Sequence, residues 1–223
     1  MKKIITTVLM VVLGTMVWAT GCSIEPFTPE DSVRKLDKTT IDSFSNIEMD
    51  IDVSEIDIIP TSDEFAIEYN IVNQDIDYSV KDDVLTVDAT KFDSWGHIDC
   101  KDSYIKIYVP ENSELTNIDC TCDVGRINIS DLVADTGTID SSVGDLNLDN
   151  ILVNTNLKIK NSVGATDVSL ANSDCSYNVS SSVGGIRIND NSYSGLDVNM
   201  NHKSDNGPKV TIDNSTGHVD FDY

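Results

Sequence analysis

Cys122-Asp123-Val124-Gly125, Ser141-Ser142-Val143-Gly144, Asn161-Ser162-Val163-Gly164 and Ser181-Ser182-Val183-Gly184 are four versions of one phrase, with glycines 19, 20 and 20 residues apart. A fifth version, Asn214-Ser215-Thr216-Gly217, follows after 33 residues, as though one coil carried a 13-residue insertion. Five residues before each Gly stands an aliphatic slot with one Cys: Cys120, Ile139, Ile159, Val179 and Ile212. After the Gly, alternating apolar pairs return as Ile127/Ile129, Leu146/Leu148, Val168/Leu170, Ile186/Ile188 and Val219/Phe221. Repetition near 20 residues argues for stacked coils, each too thin to bury its own apolar face. The Gly marks a corner where a side chain would deny the backbone its conformation. Three residues before it the occupant is Cys, Ser, Asn, Ser or Asn, small polar groups expected to stack as a hydrogen-bonded ladder. The reading is an all-β fold: a β-solenoid of right-handed, parallel β-helix-like coils over residues 118–223. An antiparallel sandwich with repeating hairpins is the competing fold.

Upstream, Ile47, Met49, Ile51 and Val53 alternate with Glu48, Asp50 and Asp52, and the same period of two recurs at 56–58, 65–71, 84–87 and 105–109. Period two with Ile, Val and Tyr is the signal of a half-buried strand. Residues 44–117 therefore read as an N-terminal strand and hairpin region, continuous with the solenoid in one domain over 44–223.

The chain starts differently. Lys2 and Lys3 precede an uncharged stretch from Ile4 to Gly21, and Cys22 follows. A charged start and an apolar core are the pattern of an export signal. Eighteen residues at about 1.5 Å each fall just short of a hydrocarbon core of about 30 Å. The junction Ala19-Thr20-Gly21-Cys22 resembles a bacterial lipobox, with Ala19 where Leu is commonest. It implies a signal peptide over 1–21, lipidation of Cys22, and a lipid-anchored protein on the extracytoplasmic face of the membrane. An uncleaved membrane anchor and plain secretion are the alternatives. Residues 22–43, with Pro26 and Pro29, read as a tether.

Charge narrows the partners. Thirty-eight acids against 15 bases give −23, and loss of Lys2 and Lys3 with the signal makes it −25. Such a body repels nucleic acid. Thirty of the acids are Asp and eight are Glu, and beyond Glu114 fifteen Asp occur with no Glu. Asp competes with the backbone for hydrogen bonds and prefers turns, so the excess also points away from helix.

Three stretches carry a family resemblance: "IDVSEIDIIPTSD" at Ile51–Asp63, "IKIYVP" at Ile105–Pro110, and the "SVG" coils. Together they resemble the adhesin-type, β-strand-repeat family of domains of unknown function (DUF 4097). A related surface protein that senses daptomycin and antimicrobial peptides carries similar repeats. The resemblance spans roughly residues 44–223, brings no catalytic signature, and implies a surface protein for adhesion or envelope-stress sensing.

Little in the residues speaks for chemistry. Cys120 and Cys122 lack the two-residue gap of common zinc sites. Cys100, Cys120, Cys122 and Cys175 read as buried thiols, with disulfides Cys100–Cys120 or Cys122–Cys175 and metal binding as alternatives. His97, His202 and His218 show no ligand spacing. The cations Arg126, Lys158, Lys160 and Arg187 stand at different offsets from their Gly and form no column. No nucleophile elbow or phosphate loop is present, so no catalytic and no metal residues are assigned, and a polysaccharide-active enzyme ranks third among the readings. Asp50/Asp52, Asp75/Asp77 and Asp220/Asp222 are hard-oxygen pairs that leave Ca²⁺ as the one candidate cofactor, against a simple solvated role.

Partner binding falls to the long spacing between Gly184 and Gly217. It holds Tyr193, Met200, His202, Lys203 and Lys209, because insertions in repeats become loops on one face. An edge-covering cap is the alternative. The chain ends on Val219, Phe221 and Tyr223, which on this reading is an uncapped edge that invites a homo-oligomer. The leading function is a lipid-anchored surface binding module, adhesive or sensing cationic peptides. The second is a structural, self-associating envelope solenoid.

Overall fold

The computed structural model describes residues 33–92 and 103–223; the export segment, Cys22, His97 and Cys100 lie outside the described residues. Among the described residues every regular element is a strand, and no helix is long and apolar enough to cross a membrane. In chain order the strands are β1 (Val33–Thr40), β2 (Asn46–Thr61), β3 (Ala66–Val72), β4 (Gln74–Lys81), β5 (Val84–Phe92), β6 (Tyr104–Pro110) and β7 (Glu114–Ser130). There follow β8 (Val133–Val163), β9 (Thr166–Leu170), β10 (Ser176–Ile188), β11 (Asn191–His202), β12 (Lys209–Thr216) and β13 (Val219–Asp222).

Stacking is parallel and in register, as the repeat requires. Cys120 of β7 sits beside Met49 of β2 and Ile139 of β8, and Ile127 sits beside Ile56 and Leu146. Each layer bends within the phrase that ends in its glycine, or at Asp52–Ser54 in β2, so that one arm precedes the corner and one follows it. The columns that run through the stack are apolar and buried: Met49, Cys120, Ile139, Ile159, Ile212 and Val179 on one arm, Ile58, Ile129, Leu148, Val168, Phe221 and Ile188 on the other. One column is filled differently from the sequence reading. Thr166, not Val168, aligns with Leu146, and its buried hydroxyl accepts from Asn161 Nδ2 at 3.2 Å.

The corners explain the glycines. Gly125, Gly144, Gly164, Gly184 and Gly217 have φ between 140° and 156°, and a Cβ on any of them would lie 1.6–1.9 Å from a backbone oxygen of the neighbouring layer. That oxygen belongs to Ser54 for Gly125, then to Gly125, Gly144, Gly217 and Gly164 for Gly144, Gly164, Gly184 and Gly217. Layers touch backbone to backbone here, and no side chain fits. The expected side-chain ladder three residues earlier is built another way. Asn161 Nδ2 donates to Gly144 O at 3.0 Å, Asn214 Nδ2 to Gly164 O at 3.1 Å, and Ser181 Oγ to Gly217 O at 3.3 Å. Each small polar group therefore clamps the next layer's corner carbonyl instead of its own counterpart, because the buried carbonyl is the group that needs a partner.

The same contacts give the order of the layers, and it is not the order of the chain. Gly217 stacks on Gly164, and Gly184 stacks on Gly217. The last coil, β12 and β13, lies between β8/β9 on one side and β10 on the other. The chain leaves layer four, skips one level to build β10, and returns to fill the gap. The chain's last strand is thus an inner strand, and the expectation of an uncapped terminal edge at Phe221 is overturned. The residues between Gly184 and Gly217 are not a simple loop either: β11 folds back antiparallel along all of β10.

At the opposite end the arms of β2 separate. The first pairs with β5, which carries β4; the second pairs with β6, which carries β3 and then β1. Two sequence boundaries shift accordingly. Residues 33–40, read as tether, are a strand because Val33–Leu36 and Thr39–Thr40 ladder onto β3. The stack begins at β2 instead of residue 118, since β2 lies in register against β7.

Some of the Asp and Asn residues serve the backbone. All seven described non-glycine residues with positive φ are Asn or Asp: Asn73, Asp82, Asp83, Asp131, Asn150, Asn189 and Asp197. Their short side chains tolerate the left-handed region. Some then stack between layers, as Asn150 Nδ2 does on Asp131 Oδ1 at 2.6 Å.

Candidate binding surfaces

The five residues singled out by sequence lie at the β11 end. Tyr193 is opposite Ile186 and Met200 opposite Val179, so both point to the core side of the layer beneath. No described layer covers them from above, and Tyr193 remains 38% exposed. His202 stacks obliquely on Tyr177, ring centroids 5.5 Å apart. Lys203 follows directly, and Lys209 pairs with Ser176, the residue before Tyr177. The fold thus brings His202, Lys203 and Lys209 around the start of β10, while Tyr193 stands on the other arm. They make two patches, not one site.

A second surface is acidic. On the outer face of β5, β2 and β7, Glu48 lies beside Asp119 and Thr86, and Asp50 beside Asp88 and Thr121. They line a shallow depression of about 270 Å³. Burial raises the Asp52 pKa, and the carboxylates of Asp123, Asp50 and Asp88 raise it further. Like charges are held close here, which favours a cation in their midst. Among the described residues no three His, Cys, Asp or Glu are arranged to hold a metal ion. Of the carboxylate pairs read as Ca²⁺ ligands, Asp220 and Asp222 both receive Arg187, through Nε at 2.8 Å and NH2 at 3.3 Å. Asp75 accepts from Arg34 NH2 at 3.1 Å.

The scattered coil cations acquire a meaning that sequence offsets hid. Arg126 reaches Glu55 at 3.5 Å and Asp145 at 3.9 Å, in the layers on either side. Lys160 reaches Asp140 at 3.8 Å. Being exposed, these pairs tie layers weakly. Among the described residues no ion pair reaches Glu48, Asp50, Asp88 or Asp119, which register gathers on one face.

Cys120 and Cys175 are buried free thiols, so neither disulfide considered from sequence is made. Burial pushes the Cys120 thiol far up, and pushes Cys175 up to about 11, with Asp174 adding to it. A thiol held protonated and covered is a poor nucleophile. Iodoacetamide at mildly alkaline pH is expected to leave both unmodified in the folded protein and to label both after denaturation. Peptide mass mapping reads this directly; labelling of either in the native state would contradict its burial.

Comparison with known proteins follows the architecture. The family model described as Toastrack DUF4097 matches residues 44–220. The chain belongs to that family. No curated protein matches. Among solved structures, a "putative cell adhesion protein" from Clostridium sporogenes is similar at a TM-score of 0.56 and 16% identity, covering 87% of this chain and 99% of its own. A "putative adhesin" from Bacteroides fragilis covers 88% and 98% at 11% identity, with a TM-score of 0.35. At these identities the first likeness speaks for a shared fold. In this Toastrack chain, sequence reasoning missed the acidic face because its members come from three strands 31–71 residues apart, which only the register joins. It also missed β11 as a strand, because Asn189-Asp190 lacks the glycine of the commonest two-residue hairpin turns.

Proposed function

We propose that this Toastrack protein is a lipid-anchored, extracytoplasmic surface module of the adhesin type, which captures cationic segments of peptides or proteins. The observation that carries the reading is the clustered carboxylate face of Glu48, Asp50, Asp88 and Asp119, without ion pairs among the described residues and set on a net charge of −23. A lysine-rich segment laid along it meets carboxylates spaced by strand pairing, about 4.8 Å apart. Long-range attraction raises the rate of encounter, and salt screens it. The "putative cell adhesion protein" of like fold supports the adhesive side of the reading, and the Ala19–Cys22 lipobox supports the anchor.

The test is binding of a lysine-rich helical peptide to the full chain, measured by calorimetry at physiological salt. Saturable binding that weakens with salt and is lost in Asp50→Lys/Asp88→Lys supports it. No saturable binding, or binding unaffected by the double variant, overturns it. Fractionation of cells carrying Cys22→Ala tests the anchor: release from the membrane is expected, and full retention would contradict it. The second reading, a self-associating structural solenoid, is favoured by one specific feature, the free edge of β11.

A further inference from the structure

We infer that two copies of this chain join end to end through β11, by antiparallel pairing about a two-fold axis through its corner. Among the described residues the sheet has three strands with a neighbour on one side only: β1, β4 and β11. Free edges offer unpaired N–H and C=O groups, and proteins protect them with charge. β1 carries Arg34, Lys35, Asp37 and Lys38, and β4 carries Asp75, Asp77 and Lys81. β11 is twelve residues long and has one acid, Asp197. It also bears Leu196, which is 75% exposed, and the half-covered Tyr193. It is the unguarded edge.

Three independent features select a second copy of the same strand. The first is shape. β11 follows the bend of β10: Ser192–Leu196 pair with one arm and Val198–His202 with the other, and Asp197 turns the corner with φ 55°. Asp197 leaves six residues, Asn191–Leu196, on one arm and five, Val198–His202, on the other, so the arms are of similar length. Rotation by 180° about the bisector of the bend exchanges the arms and lays one β11 antiparallel on the other. A two-fold through Asp197 itself would set residue 197 opposite its own copy; the register offset by one, with Leu196 opposite the partner copy's residue 197 and Asn191 opposite residue 202, is the one that facing and charge select.

The second is facing. Asn191, Tyr193 and Gly195 oppose Ile188, Ile186 and Gly184, whereas Val198, Met200 and His202 oppose Ser181, Val179 and Tyr177. All six therefore look toward the core side. In that register Asn191 meets His202, Tyr193 meets Met200 and Gly195 meets Val198, core side against core side. A slip of one residue would set core-side groups against outward ones. The apolar ends of both stacks then cover each other, with an aromatic–thioether pair made twice.

The third is charge. The turn residue Asp190 falls opposite Lys203, and the symmetry makes that pair twice, at both ends of the joint. Both side chains are exposed in the single copy. The ladder would supply main-chain hydrogen bonds and the two ion pairs would fix its register, as in recognition by strand addition.

The experiment is sedimentation of the full chain in detergent, with charge reversals at the joint. The wild-type chain is expected to be a dimer. Asp190→Lys and Lys203→Asp should each weaken association about tenfold or more, and the two together should restore it. Because both positions are exposed, unchanged thermal melting confirms that each variant is folded. A strict monomer at sub-millimolar concentration overturns the proposal. So does a dimer indifferent to the single reversals, since its interface would lie elsewhere. Neither outcome bears on peptide capture, which uses the β5–β2–β7 face at the other end of the stack.

Discussion

Gly144→Ala is expected to cost about 3–5 kcal/mol, combining backbone strain with overpacking. The φ of 153° is one that residues with a Cβ rarely adopt, and the added carbon would lie 1.6 Å from Gly125 O. That oxygen is backbone in an adjacent layer, so no side-chain rotation can relieve the overlap. The layers must separate, and separation breaks parallel pairing on both arms. For a domain of this size the loss lowers the melting temperature by on the order of 10 °C. Gly195→Ala is the internal control, because its nearest neighbour is a Val198 methyl at 3.6 Å, ordinary contact. Thermal melting of the two variants should differ widely; equal melting would mean that the corners are not in backbone contact.

Phe221→Ala is the second large effect, and the position makes it informative. Phe221 is third from the end of the chain, where residues ordinarily fray and substitutions cost little. Here it is fully buried, stacked on Tyr223 at 5.3 Å and edge-on to Tyr177 at 5.7 Å. Its backbone runs between Val168 of β9 and Ile188 of β10. Truncation is expected to cost about 3–5 kcal/mol, the range for a buried aromatic in a well-packed core. A denaturant midpoint shift equivalent to less than about 1 kcal/mol would place Phe221 on a frayed end, and with it the last coil.

Much of this organisation was written in the residues. The Ser-Val-Gly phrases located the corners, and the aliphatic slots on either side located the buried columns. Strand assignment from period two held for 47–53, 65–71, 84–87 and 105–109. What repetition could not convey was layer order. The coil of Asn214–Gly217 has the same slots as its neighbours, so it fits any level of the stack; only the lengths of its connections choose one. A long spacing before Gly217 reads equally as an insertion and as a strand that doubles back. The chain reverses through Asn189-Asp190, which closes Ile188 onto Asn191, and without a glycine that dipeptide carries little of the usual hairpin signal. The acidic face was hidden for a related reason: in a stack, nearness follows register, and residues 38 or 71 apart become neighbours. Of the expected partner residues, Tyr193, Met200, His202 and Lys203 share the open end, and Lys209 belongs to the coil below it.

Interleaving also decides which strands end the stack. By taking the inner position, the last coil leaves β10 and its hairpin partner β11 outermost, far from the acidic face at β2. The proposed strand pairing and the proposed peptide capture thus use opposite ends of the stack. This division rests on the level occupied by β12 and β13.

Paired cysteines on the exposed corner column measure that level. Val163 and Thr216 are register neighbours, and Val183 lies one layer beyond Thr216. Neighbouring strands are about 4.8 Å apart and alternate ones about twice that, and a disulfide spans Cα distances of about 4.4–6.8 Å. Mild oxidation followed by peptide mass mapping should therefore link the pair in Val163→Cys/Thr216→Cys and leave Val163→Cys/Val183→Cys unlinked. The reverse pattern would mean that the coils stack in chain order, and the interleaved fold would be wrong.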